Sequence, residues 1–186
     1  IVVQKSGITS DATGTISIGV GVLKAISIVD AEGNSSTAID TLTLTSDADY
    51  TFYLAGYDQD QNFIRNINAQ WSVQGDIGSL GTGNSYASST KFTASAVGSG
   101  AIKADTASFS DVTGTITITN GELAKLIIRD GTNGGGVEVG DVSLTTDENI
   151  LLYAAGYDVD DNYISDIAAN WSSSGSLDQV SADQNC

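Results

Sequence analysis

Apolar and hydroxyl side chains alternate along much of the chain, most clearly in Thr15-Ile16-Ser17-Ile18 and Leu42-Thr43-Leu44-Thr45. A period of two places one set on each face of an extended strand, so these segments are predicted to be half-buried β-strands. The same reading predicts strands over 25–29, 50–56, 69–73, 89–94 and 101–104. Turn-forming clusters separate them, at Ala31-Glu32-Gly33-Asn34, 58–62, 75–83 and Val97-Gly98-Ser99-Gly100. About seven short strands per ~100 residues, with turns every ~8–12, describe a two-sheet sandwich. No stretch carries the periodicity of an amphipathic helix.

The pattern occurs twice. Shifted by 100 residues, 11–86 aligns with 111–186 without a gap, and about a third of the aligned positions are identical. DATGTISI (11–18) returns as DVTGTITI (111–118), and LAGYDQDQNFI (54–64) returns as AAGYDVDDNYI (154–164). Matches this dense at one offset indicate two copies of one module. Each copy has one tryptophan, Trp71 and Trp171, on the strand after the Asp-rich turn. Immunoglobulin-like sandwiches bury a large aromatic between their sheets at that place, so both are expected to be core hallmarks.

The string GYDxDxN-(F/Y)-I, the strand carrying Trp-Ser, then FTASAVGSGAIKAD and finally TGTITI together resemble the bacterial immunoglobulin-like (BIG/invasin-type) repeat. The resemblance covers essentially the whole chain and identifies a type of module. It implies an all-β chain of tandem immunoglobulin-like β-sandwiches, of the kind strung along large secreted or outer-surface proteins. It also implies shafts, stalks and accessory modules sooner than catalysis, because a shared fold does not carry an activity with it.

The repeat also sets boundaries. IVVQK (1–5) falls opposite residues 101–105, so 1–21 is expected to form the last two strands of a preceding, or neighbouring-chain, module. Residues 22–120 make one complete module. Residues 121–186 make an incomplete one, lacking counterparts of 89–94, 101–104 and 113–118. An open sandwich exposes sheet edges and apolar surface. One explanation is a fragment of a longer repetitive chain. The other is head-to-tail strand complementation, in which 1–20 of one copy completes 121–186 of the next.

Composition narrows the chemistry. The 186 residues carry 23 acidic and 7 basic side chains, a net charge of −16, with no His and a single cysteine, Cys186. Without His there is no Ser-His-Asp or Cys-His machinery, and one Cys gives neither an internal disulfide nor a thiolate cluster. Nucleic acid is excluded as a partner, since phosphate binding draws on clustered Lys and Arg. No run of ~20 apolar residues is present to span a membrane. Nearly all the acid is aspartate, with glutamate only at 32, 122, 138 and 148. Aspartate favours turns, which suits the strand-and-turn reading.

Asp58-x-Asp60-x-Asn62 and its repeat Asp158-x-Asp160-x-Asn162 are the most chemically suggestive group. Oxygen ligands at alternate turn positions suit Ca²⁺, and Asp47, Asp49 or Asp147 could join from a neighbouring turn, or Asp30 and Asp130 near the module junction. An EF-hand is rejected, because Phe63 or Tyr163 replaces its glycine and Ala69 or Ala169 its bidentate glutamate. The same Asp and Asn residues equally suit a turn in which they bond the backbone. Tyr53 and Tyr57, repeated at 153 and 157, are candidates for a glycan-binding platform or for packing. Asn34-Ser35-Ser36 fits a glycosylation sequon in a loop. The resulting expectation is a non-catalytic repeat of an extracellular adhesin, stalk or filament that associates with its own kind. The alternative is an accessory module that grips a glycan or a host or cell-surface receptor.

Overall fold

The computed structural model describes residues 1–81 and 86–174, and among these residues the only regular secondary structure is β-strand. Cys186 lies outside the described residues. The chain opens with a two-stranded hairpin, β1 (Val2–Val3) and β2 (Asp11–Ala12). Residues 15–18, predicted to be a half-buried strand, lie outside any strand and are exposed, because no neighbouring strand pairs with them among the described residues; the chain then enters a complete sandwich at β3.

The first sheet of that sandwich contains β3 (Ala25–Val29), β5 (Asp49–Tyr57), β6 (Phe63–Asn66), β8 (Gly78–Leu80) and β10 (Ser89–Ala94). Its order is β3-β5-β10-β8, with β6 added alongside β5. The second sheet contains β4 (Thr41–Thr45), β7 (Ala69–Gln74), β9 (Tyr86–Ala87), β11 (Gly98–Asp105), β12 (Ser110–Val112) and β13 (Thr115–Thr119). Its order is β4-β13-β11-β7-β9, with β12 beside β11. All pairings are antiparallel except β4 with β13, which run parallel from Thr41↔Thr115 to Thr45↔Thr119.

Period-two alternation accounts for the core. Ile26 and Ile28 on β3, Phe52 and Leu54 on β5, and Phe92 on β10 meet Trp71, Ile102, Ile116 and Ile118 from the other sheet. Trp71 is buried, and its indole N–H donates to the Ala87 carbonyl at 2.8 Å, so the one polar atom of the ring is satisfied. Burying each large side chain is worth ~1.5–3 kcal/mol, so this cluster dominates the stability of the module. Gly56 lets β5 pass close to the core: a Cβ there would stand 2.7 Å from side-chain atoms of both Leu23 and Ile67.

The second copy begins the same way. β14 (Lys125–Arg129), β15 (Tyr153–Tyr157) and β16 (Tyr163–Asp166) form a three-stranded sheet. Its register repeats β3-β5-β6 residue for residue, Lys125↔Tyr157 matching Ala25↔Tyr57, and it keeps the irregularity at Gly156/Tyr157. Gly156 again leaves 2.7 Å to Leu123 and Ile167. Residues 141–145 and 169–174, counterparts of β4 and β7, are not strands. Trp171, expected in a core, is half-buried and outside any strand. Trp71 is held on β7 between β11 and β9 and packs into the core against the first sheet, whereas among the described residues no strand flanks Trp171 in this way.

The structure also corrects the alignment at the first strand. In the complete module the Thr113 amide donates to the Ile102 carbonyl at 2.9 Å, and the Thr113 hydroxyl accepts from the Ile102 amide at 3.0 Å. Thr13 makes the first of these bonds to Ile1, and its hydroxyl accepts from the Ile1 amine. Ile1 therefore takes the place of Ile102, one residue off the 100-residue offset. The turn between β1 and β2 absorbs the extra residue, with Gly7 in the left-handed region at φ 78°.

Candidate functional site

The Asp-rich turn lies at one pole of each module, where the chain enters, and its two copies are built alike. Asp58 Oδ1 accepts the backbone amides of Asp60 at 3.0 Å and Asn62 at 2.9 Å, while the Asn62 amide group donates to both carboxylate oxygens. Asp58 Oδ2 also accepts the Gly21 amide at 2.8 Å, tying the entering chain to the turn. Asp158 repeats this with Asp160, Asn162 and, at 3.1 Å, the Gly121 amide. Gln61 and Asp161 close the turns with φ of 63° and 70°. Aspartate at the first turn position is what makes this loop possible, because its short carboxylate reaches amides two and four residues on.

The second copy has further partners, supplied by the far pole of the first module. The Ser46 hydroxyl donates to Asp158 Oδ2 at 2.6 Å, and both residues are fully buried. Asn162 donates to the Ser95 carbonyl at 3.0 Å and accepts the Val97 amide at 3.3 Å. Asn120 donates to the Tyr163 carbonyl at 2.5 Å, and Asp47 accepts the Glu122 amide at 2.9 Å. A Cβ on Gly121 would overlap the Asp47 carboxylate, so a larger residue at the crossing would displace that side chain from the Glu122 amide. The Asp158 turn is thus the hub of a hydrogen-bonded junction between two modules.

Electrostatics follow from the donors. Burial opposes the charge on Asp158, but Ser46, the Asn162 side chain and the amides of Asn162 and Gly121 outweigh it and hold the carboxyl at about 2. At Asp58 the Gly21 amide leads, followed by the Asn62 side chain and amide, and together they hold that carboxyl at about 2 against burial. Both groups are anions whose lone pairs face N–H or O–H protons. A Ca²⁺ ion at either turn would have to compete with those protons for the Asp58 or Asp158 oxygens. Among the described residues no group of three or more Asp, Glu, His or Cys converges as metal ligands would. The Asp58/Asp60 pair likewise presents no free carboxylate pair, since the Asp58 carboxylate is already filled.

The remaining candidates lie apart from the junction. Asn34 is exposed on the turn after β3. Tyr53 is half-buried on β5, and Tyr57 packs edge-on against Phe63 with ring centroids 6.2 Å apart. Tyr157 is buried against Tyr163. Sequence reasoning selected the turn, and the Gly-containing junctions Val20-Gly21 and Asn120-Gly121 are legible beside it, but Ser46, Ser95 and Val97 were missed. The repeated Ser46-Asp47/Thr146-Asp147 is the signal that could have found the first of these.

Fold and junction together define a tandem array of immunoglobulin-like β-sandwich modules. No family model matches the sequence, and no curated protein matches it. Among solved structures, the chain is similar to domains 4-9 of the surface layer protein SbsC at 18% identity, with 88% of this chain and 24% of that one covered and a TM-score of 0.34. It is similar also to SbsC domains 1-6 (17% identity, 88% and 20% covered, TM-score 0.35) and to SbsC domains 5-6 (16%, 78% and 67%, 0.35). The chain therefore spans about a quarter or less of the first two. No helix among the described residues is long and apolar enough to cross a membrane.

Proposed function

We propose that the chain is a non-catalytic spacer of a bacterial extracellular adhesin, stalk or filament. Its modules are held in line by hydrogen-bonded junctions, and its unpartnered strands complement another copy head to tail. The resemblance to tandem surface modules supports the location. The hydrogen-bonded pole supports a load-bearing spacer.

One comparison within the chain carries the self-association. Ile116 and Ile118 of β13 are 0% and 1% exposed, whereas their counterparts Ile16 and Ile18 are 60% and 94% exposed. On the other side, Ile26 and Ile28 are 9% and 1% exposed, against 50% and 45% for Leu126 and Ile128. Ile16 and Ile18 stand in the pattern of Ile116 and Ile118, and Leu126 and Ile128 in that of Ile26 and Ile28, so each pair forms an apolar face of the kind the complete module buries. Each isoleucine buried by pairing the two ends contributes ~1.5–3 kcal/mol. The complete module supplies the register: parallel pairing of β13 with β4 places 15–19 alongside 141–145 of the neighbouring copy.

Sedimentation velocity and electron microscopy test the reading. The wild-type chain is expected to form linear assemblies that lengthen with concentration, and Ile16→Asp with Ile18→Asp to remain monomeric. A wild-type chain that stays monomeric at all concentrations, or a double variant that assembles equally well, overturns it.

A further inference from the structure

A cleft of about 300 Å³ opens where the complete module crosses from its first sheet to its second, lined by Arg65, Asn66, Ile67, Asn68 and Tyr86. Small-ligand sites start at about that size. The frame around it is fixed. β6 ends at Asn66, and the Ile67 amide donates to the Leu54 carbonyl at 2.8 Å while the Ile67 side chain is buried in the core. Asn68 follows, and β7 begins at Ala69. Tyr86 arrives on β9 opposite Gln70, and the carbonyl of the next residue, Ala87, holds the Trp71 indole.

The groups that line the cleft have hydrogen-bonding capacity to spare. Among the described residues the Arg65 guanidinium is in no ion pair or hydrogen bond, and the same is true of the Asn68 amide group and the Tyr86 hydroxyl. Asn66 Oδ1 accepts the Gly33 amide at 3.4 Å, which leaves its NH₂ donors for a ligand. Elsewhere basic side chains are engaged: Lys91, Lys103 and Lys125 pair with Asp49, Asp105 and Asp161, and Arg129 donates to the Gly135 and Gly136 carbonyls. Tyr86 is 59% exposed, so its ring faces solvent although its strand is anchored.

The fold does not require these groups. In the second copy Ile64, Ile67, Ala69 and Trp71 return as Ile164, Ile167, Ala169 and Trp171. The polar positions between them change: Arg65 becomes Ser165, Asn66 becomes Asp166 and Asn68 becomes Ala168. Asp166 is taken up within its own module, accepting the Asn133 amide and the Tyr163 hydroxyl. The crossing keeps its apolar anchors in both copies, and only the first carries an arginine and two asparagines.

A ligand for this cleft has to offer an apolar face to the Tyr86 ring and oxygens to the donors of Arg65, Asn66 and Asn68. A pyranose ring does both, since its C–H bonds make one face apolar and its hydroxyls surround the edge. The guanidinium fork reaches two neighbouring oxygens at once, and each asparagine amide both donates and accepts. A net charge of −16 repels an acidic polymer, which selects an uncharged one. We infer that the cleft between Arg65 and Tyr86 is a binding site for a neutral glycan, with Tyr86 stacking on a sugar ring and Arg65, Asn66 and Asn68 bonding its hydroxyls. Tyr53 and Tyr57 do not line it. Neither the module junction nor self-association enters into it.

Affinity electrophoresis of the full chain through gels holding soluble glucan, mannan or xylan tests the site, with polygalacturonate as the acidic comparison. The wild type is expected to be retarded by at least one of the neutral polymers. Arg65→Ser and Tyr86→Ala, both at exposed positions, are expected to weaken that binding about tenfold with an unchanged melting temperature, and Tyr86→Phe, which keeps the ring, to retain it. The amides of Asn66, Asn68 and Tyr86 should shift in ¹⁵N NMR on adding an oligosaccharide of the retarding polymer, while that of Gly121 at the junction stays in place. No retardation by any neutral polymer, retardation by polygalacturonate alone, or equal retardation of the wild type and both weakening variants overturns the site.

Discussion

Replacing Ser46 with alanine removes one hydroxyl and isolates the bond on which the junction turns. The Ser46 Oγ lies 2.6 Å from Asp158 Oδ2, and neither residue reaches solvent. A hydrogen bond to a charged partner contributes about 1.5–3 kcal/mol. Asp158 keeps the Gly121, Asp160 and Asn162 donors, so its charge is not orphaned and the lower half of that range applies. A loss of about 1.5 kcal/mol is expected, and it should fall on the junction and spare the core of the complete sandwich. Native-state hydrogen exchange reads this directly. The Gly121 amide, which shares Asp158 Oδ2, should exchange about tenfold faster, since 1.4 kcal/mol is a factor of ten. The core amide of Ile102, which donates to the Thr113 hydroxyl, should keep its rate. Pairing Ser46→Ala with Asp158→Asn in a double-mutant cycle separates the contact from the two side chains. Unchanged exchange at Gly121, or equal acceleration at Ile102, would refute the reasoning.

Acid should loosen the same place. The Asp158 carboxyl is held at about 2 in the folded chain against a usual 3.8. Its stabilisation is therefore complete above about pH 4 and lost as the pH falls through about 2, and Gly121 exchange corrected for intrinsic rate should rise over that window. Trp71→Ala should cost about 3–5 kcal/mol in a urea melt, because it empties the core and strands the Ala87 carbonyl. Gly114→Ala should prevent β13 from docking, since a Cβ there would overlap the Asp40 carbonyl; retention of the wild-type melting temperature would contradict this. Millimolar Ca²⁺ should raise the melting temperature no more than Mg²⁺ at matched ionic strength, while a selective rise at micromolar Ca²⁺ would establish the metal reading of Asp58, Asp60 and Asn62.

The sandwich was legible in the sequence because period two, turn residues and a 100-residue offset all point to the same strands. Where local signals were weak, strands went unread: β8 and β9 lie in or beside a stretch rich in glycine that reads as a turn. The junction was half legible. Asp58 and Asn62 stood out by recurrence, but recurrence does not distinguish a cation from an amide as the partner of a carboxylate. The deciding groups were distant or made of backbone. Ser46 lies 112 residues from Asp158, and Ser95 and Val97 contribute a carbonyl and an amide that carry no side-chain signature. The slip at Ile1 was hidden for a related reason, since IVVQK is apolar enough to align in either register.

The parallel pairing of β4 with β13 bears on mechanics. β5 runs from the Ser46 pole to the Asp58 pole, so its length spans the module. Tension along an array would enter at β3 beside Asp58 and leave at the end of β13 beside Ser46. These two terminal strands belong to different sheets, and each would be drawn lengthwise along its neighbour. Pulling in that direction strains the bonds of a ladder all at once, whereas peeling breaks them one at a time. A module of this design would yield abruptly at a high force and hold its length below it.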